Sequence, residues 1–204
     1  MGLGGSNVAW GDALISGLED AGYESLLLDN RDTGASTRFQ GWGQPTLWFQ
    51  LLKYNLGFSV NAPYNLDDMA EDVVHLMDFL SYENAHIVGI SIGEMIAQII
   101  AAKYPQRSKS LISIMSTPLA PHLPSPTMVA EDELRDIATG ESQEELEINV
   151  RNRGFYPESM LRHLMPILKT GDRSDEVATI EIPTLVIHGS EDGLIPSEHG
   201  LFTA

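Results

Sequence analysis

Apolar and polar positions alternate along the chain in patterns that predict strands and helices in turn. Apolar residues recur at helical spacing over residues 67–80, which predicts an amphipathic helix with Asn65 as its N-cap. Short apolar runs bounded by turn residues predict strands. These strands lie at 25–29, 86–90, 111–115 and 184–187. Because helical stretches separate the strands, we expect an α/β fold with a mostly parallel sheet and helices on both faces.

The remaining segments fill in this outline. A helix is predicted over residues 10–21, ended by Gly22, because glycine often closes a helix. Residues 35–64 have a loop-like composition with an aromatic-rich patch at 47–52. The helix predicted over 92–104 is apolar nearly all round and should be buried on several sides.

Four prolines between residues 118 and 126 mark a boundary, and the composition then becomes polar and helical to about residue 178. This stretch has a capping-box pattern at Ser142 and Glu145, and Pro157 suits a helix start. We interpret residues 118–178 as a small helical cap. It would be inserted between an N-terminal part (1–117) and a C-terminal part (179–204) of the sheet domain.

Composition excludes several classes of protein. The chain has 204 residues, and its formal net charge of −17 disfavours nucleic-acid and anionic-membrane partners. The absence of cysteine excludes disulfides and thiolate chemistry. Neither a membrane span nor a signal peptide is visible, so a cytoplasmic protein is expected. No histidine pair has metal-binding spacing with a nearby carboxylate, so we expect no metal site.

Gly89-Ile90-Ser91-Ile92-Gly93 matches the G-x-S-x-G pattern of a nucleophile elbow. The motif alone is weak, but a buried-type strand precedes it and an apolar helix follows. In this setting Ser91 would stand on a sharp turn at the carboxyl edge of the sheet, and the Ile92 amide would face a developing oxyanion. The alternative is a serine that caps an ordinary strand–helix turn.

Two further segments supply candidate partners for Ser91. The opening Gly2-Leu3-Gly4-Gly5 is a glycine-rich loop whose Leu3 amide could be the second oxyanion donor; the alternative is a plain turn. Asp192 follows the last predicted strand, where a carboxylate can orient an imidazole. Glu191 is the alternative acid, and a solvated loop carboxylate is the non-catalytic interpretation.

Taken together, these stretches resemble the α/β-hydrolase fold family, in the group of aclacinomycin methylesterase-like serine esterases. The matching stretches keep the family's order along almost the whole chain: residues 1–10, 28–36, 62–72, 86–93, 113–117 and 182–192. The resemblance implies cofactor-free hydrolysis of a small-molecule ester or related acyl substrate, with Ser91 as nucleophile and Asp192 as acid. Leu3 and Ile92 would form the oxyanion hole. It also implies that Arg31, Asp32 and Gly34 are structural.

The chain departs from the family pattern in three ways. The strands expected before the glycine-rich loop are missing. Glu94 stands where a small residue is usual. The catalytic histidine, expected past one more strand, is not present in this chain. We therefore expect a sequence truncated at both ends. As a fragment it should be unstable, rearranged or completed by another segment, and it should keep residual activity at most.

The histidines present are not convincing bases. His199 is the only histidine after Asp192, and it is interpreted as a surface residue. His188 is interpreted as structural, His86 as a strand-edge residue, and His163 as a surface or cap position.

The sequence is compared with three possible functions. The leading hypothesis is a serine hydrolase acting through an acyl-enzyme. The second is a non-catalytic binding protein that kept the fold and lacks the triad histidine. A dinucleotide-binding domain is disfavoured, since Asn7 replaces the third glycine of that fingerprint. Haloperoxidase-type and carbon–carbon bond hydrolase activities stay open within the fold, and the substrate and oligomeric state stay undetermined.

Overall fold

Three parallel strands form the sheet in the part of the chain that the computed structural model describes, residues 1–128 and 154–204. They run in the order β1 (Ala85–Ile90), β2 (Ser108–Ile114) and β3 (Thr184–Ile187). Ile90 pairs with Ile114, and Ile114 pairs with Ile187, so the strands end level with one another. Their carboxyl ends therefore share one edge of the sheet, where ligands bind in open α/β folds.

Helices connect the strands, and one of them, Ile92–Lys103, packs against β1 and β2 on one face of the sheet. Within the described ranges they are α1 (Asp12–Asp20), α2 (Leu47–Asn55), α3 (Leu66–Phe79), α4 (Ile92–Lys103), α5 (Pro157–Thr170), α6 (Ser174–Val177) and α7 (Ser197–Thr203). Short 3-10 helices lie at Asn7–Trp10, Gln40–Trp42 and Pro105–Arg107. On the opposite face of the sheet, Val88, Leu185 and Ile187 are exposed.

The core forms around α4, nine of whose twelve residues are buried. Its isoleucines pack against α3, and Ala97 and Ala101 lie against Leu111 of β2. Small side chains at those two positions let the helix approach the central strand closely. The prediction of a helix buried on several sides is confirmed.

Helix α3 begins at the capping residue that the sequence predicts. The Asn65 side chain accepts a hydrogen bond from the Asp68 amide (2.8 Å), and the Asp68 carboxylate accepts one from the Asn65 amide (2.7 Å). This reciprocal capping box satisfies two helix-terminal donors and confirms Asn65 as the N-cap.

The prediction of a strand over residues 25–29 is wrong. No strand lies between residues 23 and 30, and Leu26 and Leu27 are exposed. A strand needs a hydrogen-bonded neighbour, and β1 is paired with β2 alone within the described residues. A cleft of about 660 Å³ lies beside this segment, between it and the α3 residues Asp72 and Leu76.

Two other expectations need correction. The aromatic patch within the predicted loop 35–64 forms helix α2, which leaves Trp48 69% exposed. Gln50 on the buried side of α2 accepts a hydrogen bond from the Asn61 amide (3.0 Å) and ties the helix to the following chain. The helix predicted over 10–21 is shorter, because Gly11 adopts a φ of 76° between the 3-10 turn and α1, which runs from Asp12 to Asp20.

Helix α5 is joined to the turn after residue 29 by a buried ion pair. The Asp32 side chain is fully buried and accepts hydrogen bonds from the Arg162 guanidinium, one of them 2.8 Å long. Burial by itself would raise the pKa of Asp32, but the hydrogen bonds from Arg162 and from the Phe39 amide lower it below its usual value. The pair fixes α5 relative to the rest of the domain.

The predicted cap is described only at its two ends. Pro157 begins α5, as its position suggested. The capping-box pattern at Ser142 and Glu145 lies outside the described residues, and the division into 1–117, 118–178 and 179–204 stays a prediction. Among the helices that the structure describes, none has both the length and the apolar character needed to cross a membrane.

Replacing Arg162 with leucine should lower the free energy of unfolding by up to about 3–5 kcal/mol, because the buried Asp32 carboxylate would lose the hydrogen bonds of its main cation. It would keep Arg38, whose Nε lies 3.5 Å from the Asp32 Oδ1. Urea denaturation measures the change, and the double variant Asp32→Asn/Arg162→Leu should recover part of it. Lys103→Met, which removes an exposed ion pair, is the control and should cost less than about 1 kcal/mol. Equal losses for Arg162→Leu and Lys103→Met would contradict the central role of the buried pair.

Candidate active site

Ser91 stands between the end of β1 and the start of α4, at the carboxyl edge of the sheet. Its φ of 54° and ψ of −123° form a conformation that side-chain-bearing residues rarely adopt. Its amide donates to the Ile114 carbonyl (3.0 Å), and its own carbonyl accepts from the Ser116 hydroxyl (2.9 Å). Contacts with β2 and the chain that follows it therefore hold the strained residue in place.

Gly89 and Gly93 allow backbones to touch on both sides of Ser91. A Cβ added at Gly89 would lie 2.6 Å from the Glu94 nitrogen, and one at Gly93 would lie 2.5 Å from the Met1 nitrogen. The Gly93 amide donates to the Met1 carbonyl (3.0 Å). Both positions therefore require a residue without a side chain.

The glycine-rich loop lies directly against Ser91. A Cβ built on Gly2 would be 3.6 Å from the Ser91 Cβ. The Gly5 amide donates to the Gly2 carbonyl (2.9 Å), which closes a turn around Leu3, and the Leu3 side chain packs on the core. Ile92, the other predicted oxyanion donor, is the fully buried first residue of α4. The fold thus brings both predicted donor segments next to Ser91.

Asp192 follows β3 in the loop at the same edge of the sheet. Its Oδ1 accepts hydrogen bonds from the Leu194 and Ile195 amides, both 2.9 Å long. Its Oδ2 is buried and has no hydrogen-bond partner in the part of the chain that the structure describes. The adjacent Glu191 is exposed. One carboxylate oxygen of Asp192 is therefore fixed by the loop, and the other is available to a further donor.

The histidines have other partners. His188 lies 3.8 Å from Asp192 Oδ2, but its Nε2 donates to the Ile195 carbonyl (2.6 Å), which agrees with a structural role. His86 Nδ1 lies 2.7 Å from the Ser110 hydroxyl. The expectation of a surface position is wrong for His199, which is buried. His163, expected at a surface or cap position, is also buried and lies on α5, in the stretch predicted to form the cap.

The burial of His199 and His163 is tolerated because both ring nitrogens of each residue are hydrogen-bonded. The nitrogens of His199 contact the Thr117 hydroxyl (2.6 Å) and the Pro124 carbonyl (2.8 Å). Those of His163 contact the Gly4 amide (3.2 Å) and the Arg31 carbonyl (2.7 Å). All four partners are distant in sequence, so no local pattern could have revealed them.

Glu94, the unusual residue after the elbow, has a fully buried side chain that reaches the central strand. Its Oε1 accepts a hydrogen bond from the Ser113 hydroxyl on β2 (2.7 Å). Burial raises the pKa of Glu94, and the Ser113 hydrogen bond and the buried Arg173 guanidinium oppose that rise only in part. The carboxyl group thus belongs to the packing beneath the elbow.

The residues implied to be structural do hold the turn after residue 29. The Arg31 guanidinium makes two 2.7 Å hydrogen bonds to the Asp72 carboxylate on α3. Gly34 has a φ of 50°, and a Cβ there would collide with the Asp29 carboxylate. That carboxylate also accepts from the Asn7 amide (2.7 Å), so the turn supports the chain that follows the glycine-rich loop.

A parallel sheet with a strained serine between strand and helix defines an α/β protein with a candidate nucleophile at the sheet's carboxyl edge. A family model described as the alpha/beta hydrolase fold matches residues 2–140, and the chain belongs to that family. The resemblance recognised in the sequence is therefore confirmed.

Two of the relatives are named as hydrolases. The chain is 30% identical over 112 residues to rhodomycin D methylesterase DauP of Streptomyces sp. (strain C5), a match that covers 53% of this chain and 32% of that protein. It is 24% identical over 216 residues to the putative carbamate hydrolase RutD of Caulobacter sp. (strain K31), covering 96% of this chain and 72% of that protein. The chain thus spans about a third of the methylesterase and most of the second relative.

Solved structures share the fold. A hydrolase from Pseudomonas aeruginosa PA01 superposes with a TM-score of 0.67 at 23% identity, covering 100% of this chain and 74% of that one. The enol-lactonase from Burkholderia xenovorans LB400 gives a TM-score of 0.65 at 18% identity, covering 99% and 75%. At these identities the likeness extends to the fold alone.

Gly89→Ala should destabilise the protein by about 1–3 kcal/mol or more, since the added methyl group would overlap the backbone of α4. The free energy of unfolding in urea measures this. Gly17→Ala is a matched control, because a Cβ at that helical position meets nothing within 4 Å. Equal effects of the two substitutions would contradict the close crossing at the elbow.

Glu94→Gln should become more stable relative to the wild type as pH rises from about 4 towards about 7. Burial raises the folded-state pKa of Glu94, so the unfolded chain loses this proton first and ionisation favours unfolding. Below the unfolded pKa both side chains are neutral, and the stability difference should be constant. Denaturation at several pH values measures the trend, with the exposed Glu191→Gln as a control for losing one charge. If the difference in unfolding free energy between the wild type and Glu94→Gln does not change with pH, the raised pKa of Glu94 is contradicted.

Proposed function

We propose that this protein is a serine hydrolase that cleaves carboxylic esters or related acyl compounds through an acyl-enzyme on Ser91. The observation that carries the proposal is the strained backbone of Ser91 at the carboxyl edge of the sheet. Such a conformation costs roughly 1–3 kcal/mol and persists at functional sites where surrounding contacts impose it.

In the proposed reaction the Ser91 oxygen attacks the substrate carbonyl carbon and its proton passes to a general base. The carbonyl oxygen gains the negative charge. The amides of Ile92 and Leu3 would donate to that oxygen, and the N-terminus of α4 adds partial positive charge. Removing one such donor typically lowers turnover by about 10²–10³-fold. The tetrahedral intermediate then collapses: the bond to the leaving group breaks, and the protonated base gives its proton to the departing alcohol or amine. Water attacks the acyl-enzyme in the same way, which releases the carboxylic acid and returns Ser91 to its hydroxyl form.

The proposed acid is Asp192. Its Oδ1 is held by two amides while Oδ2 is unpaired within the described residues, an arrangement that suits a carboxylate that orients an imidazole. The six histidines of the chain all lie in the described ranges, and the hydrogen bonds of His86, His163, His188 and His199 lead to other partners. Without an imidazole between Asp192 and Ser91, the chain would keep only the residual catalysis supplied by the oxyanion amides and binding.

The substrate class is supported by the relatives' names. A methyl ester and a carbamate both present a carbonyl carbon that forms a tetrahedral oxyanion when attacked, so one arrangement of donors serves either. The exposed aromatic side chains of Trp48 and Phe49 on α2, together with the predicted cap, are proposed to shape the substrate pocket.

The unpaired Asp192 Oδ2 also favours a second candidate function. A protein that kept the fold but lacks the triad histidine would bind an acyl compound without turning it over. The two proposals differ in whether Ser91 can be acylated or phosphonylated at all.

A fluorophosphonate probe should modify Ser91, and mass spectrometry of the digested protein should locate the adduct there. Because the hydroxyl needs a base, added imidazole should raise the labelling rate, and Ser91→Ala should abolish the adduct. Asp192→Asn should reduce the response to imidazole, whereas the exposed Glu191→Gln should leave it unchanged.

Ser110 provides an internal comparison, because its hydroxyl contacts a histidine, His86, at 2.7 Å. Labelling on Ser110, or equally on both serines, would show that the elbow confers no special reactivity. A folded protein with no adduct on Ser91 at any imidazole concentration would favour the non-catalytic binding protein.

A further inference from the structure

His163 connects α5 to the glycine-rich loop beside Ser91. Its side chain has 0% exposure. Nδ1 accepts a hydrogen bond from the Gly4 amide (3.2 Å), and Nε2 donates to the Arg31 carbonyl (2.7 Å). The ring therefore bridges three segments that are far apart in sequence.

The two partners fix the protonation state of the ring. An amide can only donate, so Nδ1 must have a free lone pair; a carbonyl can only accept, so Nε2 must carry the proton. His163 is therefore neutral with its hydrogen on Nε2. A doubly protonated ring would direct an N–H at the Gly4 N–H and lose that hydrogen bond.

The surroundings of the ring lower the pKa of His163. Burial lowers the pKa of His163, and the Arg162 guanidinium and the Met1 amine act in the same direction. The Arg31 carbonyl and the Asp32 carboxylate oppose them, but Asp32 is already paired with Arg162. Tyr64 closes the remaining side with its ring edge, 6.4 Å between ring centroids.

The position of Gly4 determines the position of its neighbour Leu3. Gly4 adopts a φ of 67°, and a Cβ there would lie 2.8 Å from the Phe155 ring and 3.0 Å from Met160. The segment leading into α5 and the helix itself therefore press on one side of the loop, while His163 holds the Gly4 amide. On the other side, Gly2 lies against Ser91.

We propose that His163 is a positioning residue of the oxyanion loop: as a neutral acceptor for the Gly4 amide, it holds the adjacent Leu3 amide beside Ser91. This role rests on the proposed function of Ser91 and Leu3. His163 does not touch the reacting atoms and acts through the loop. A loop displaced by about 1 Å would misalign its donor, an error that can cost about 10²-fold in rate.

Asparagine and glutamine separate the two hydrogen bonds. In His163→Asn the side-chain oxygen can replace Nδ1 and accept from Gly4, whereas in His163→Gln the longer amide can replace Nε2 and donate to Arg31. The rate of Ser91 phosphonylation at neutral pH and fixed imidazole concentration should stay within about threefold in His163→Asn and fall about tenfold or more in His163→Gln. Rates are compared per folded molecule, measured by circular dichroism.

His199→Asn is the matched control, because His199 is also buried and bonded at both nitrogens but contacts Thr117 and Pro124 instead of the loop. It should lose stability without a change in labelling rate. If the two His163 variants label at equal rates, or if His199→Asn slows labelling as much as His163→Gln, His163 has only a structural role.

A second measurement does not depend on the reactivity of Ser91. In ¹⁵N-labelled protein, His163 should show a protonated Nε2 and an unprotonated Nδ1 at neutral pH. The Gly4 amide resonance should shift when His163 takes up a proton, at a pH below the usual range for histidine. The proposal would be overturned by a proton on Nδ1 at neutral pH, or by a Gly4 amide resonance that does not shift while His163 is protonated. If the predicted tautomer and the Gly4 shift are observed but Ser91 is never labelled, the proposed function is wrong and the contact between His163 and Gly4 is still supported.

Discussion

Close contact between backbones at the elbow is the constraint on which the rest of the structure depends. The turn at Ser91 brings the end of β1 against the first turn of α4 at Gly89, and brings α4 against the start of the chain at Gly93. Neither contact has room for a Cβ atom. Once these backbones meet, α4 must lie across β1 and β2, and the glycine-rich loop must lie beside Ser91.

Buried polar residues secure the surroundings of this crossing from two sides. Asp32, Arg162 and His163 join α5 to the loop side, and Glu94 with Ser113 joins α4 to the central strand. Buried polar groups cost free energy unless they are paired, so each of these contacts favours one arrangement over its alternatives. These contacts hold in place the segments whose backbone amides we propose as donors, as electrostatic stabilisation of an oxyanion requires.

The arrangement fits the chemistry of the α/β-hydrolase fold family, to which the chain belongs. The serine segment and the carboxylate segment reach the same edge of the sheet because the strands that carry them are parallel and end level. Asp192 has one oxygen fixed by the loop and one unpaired within the described residues. We tie the proposed reactivity to an added base, because the ring nitrogens of His86, His163, His188 and His199 are hydrogen-bonded to other groups.

The sequence by itself determined the parts of the protein that local chemistry specifies. Periodicity and capping signals located α3, α4 and β1 to β3, and the glycine spacing around Ser91 located the turn, because these features depend on neighbours within a few residues. Only the tertiary structure decided that residues 25–29 form no strand, since a strand needs a partner, and that Glu94 turns towards β2. Likewise, His163 meets Gly4 across 159 positions of the chain, and Arg162 meets Asp32 across 130. Pairing between such distant residues leaves no local signature, because it is set by how helices and loops pack and not by the order of residues along the chain.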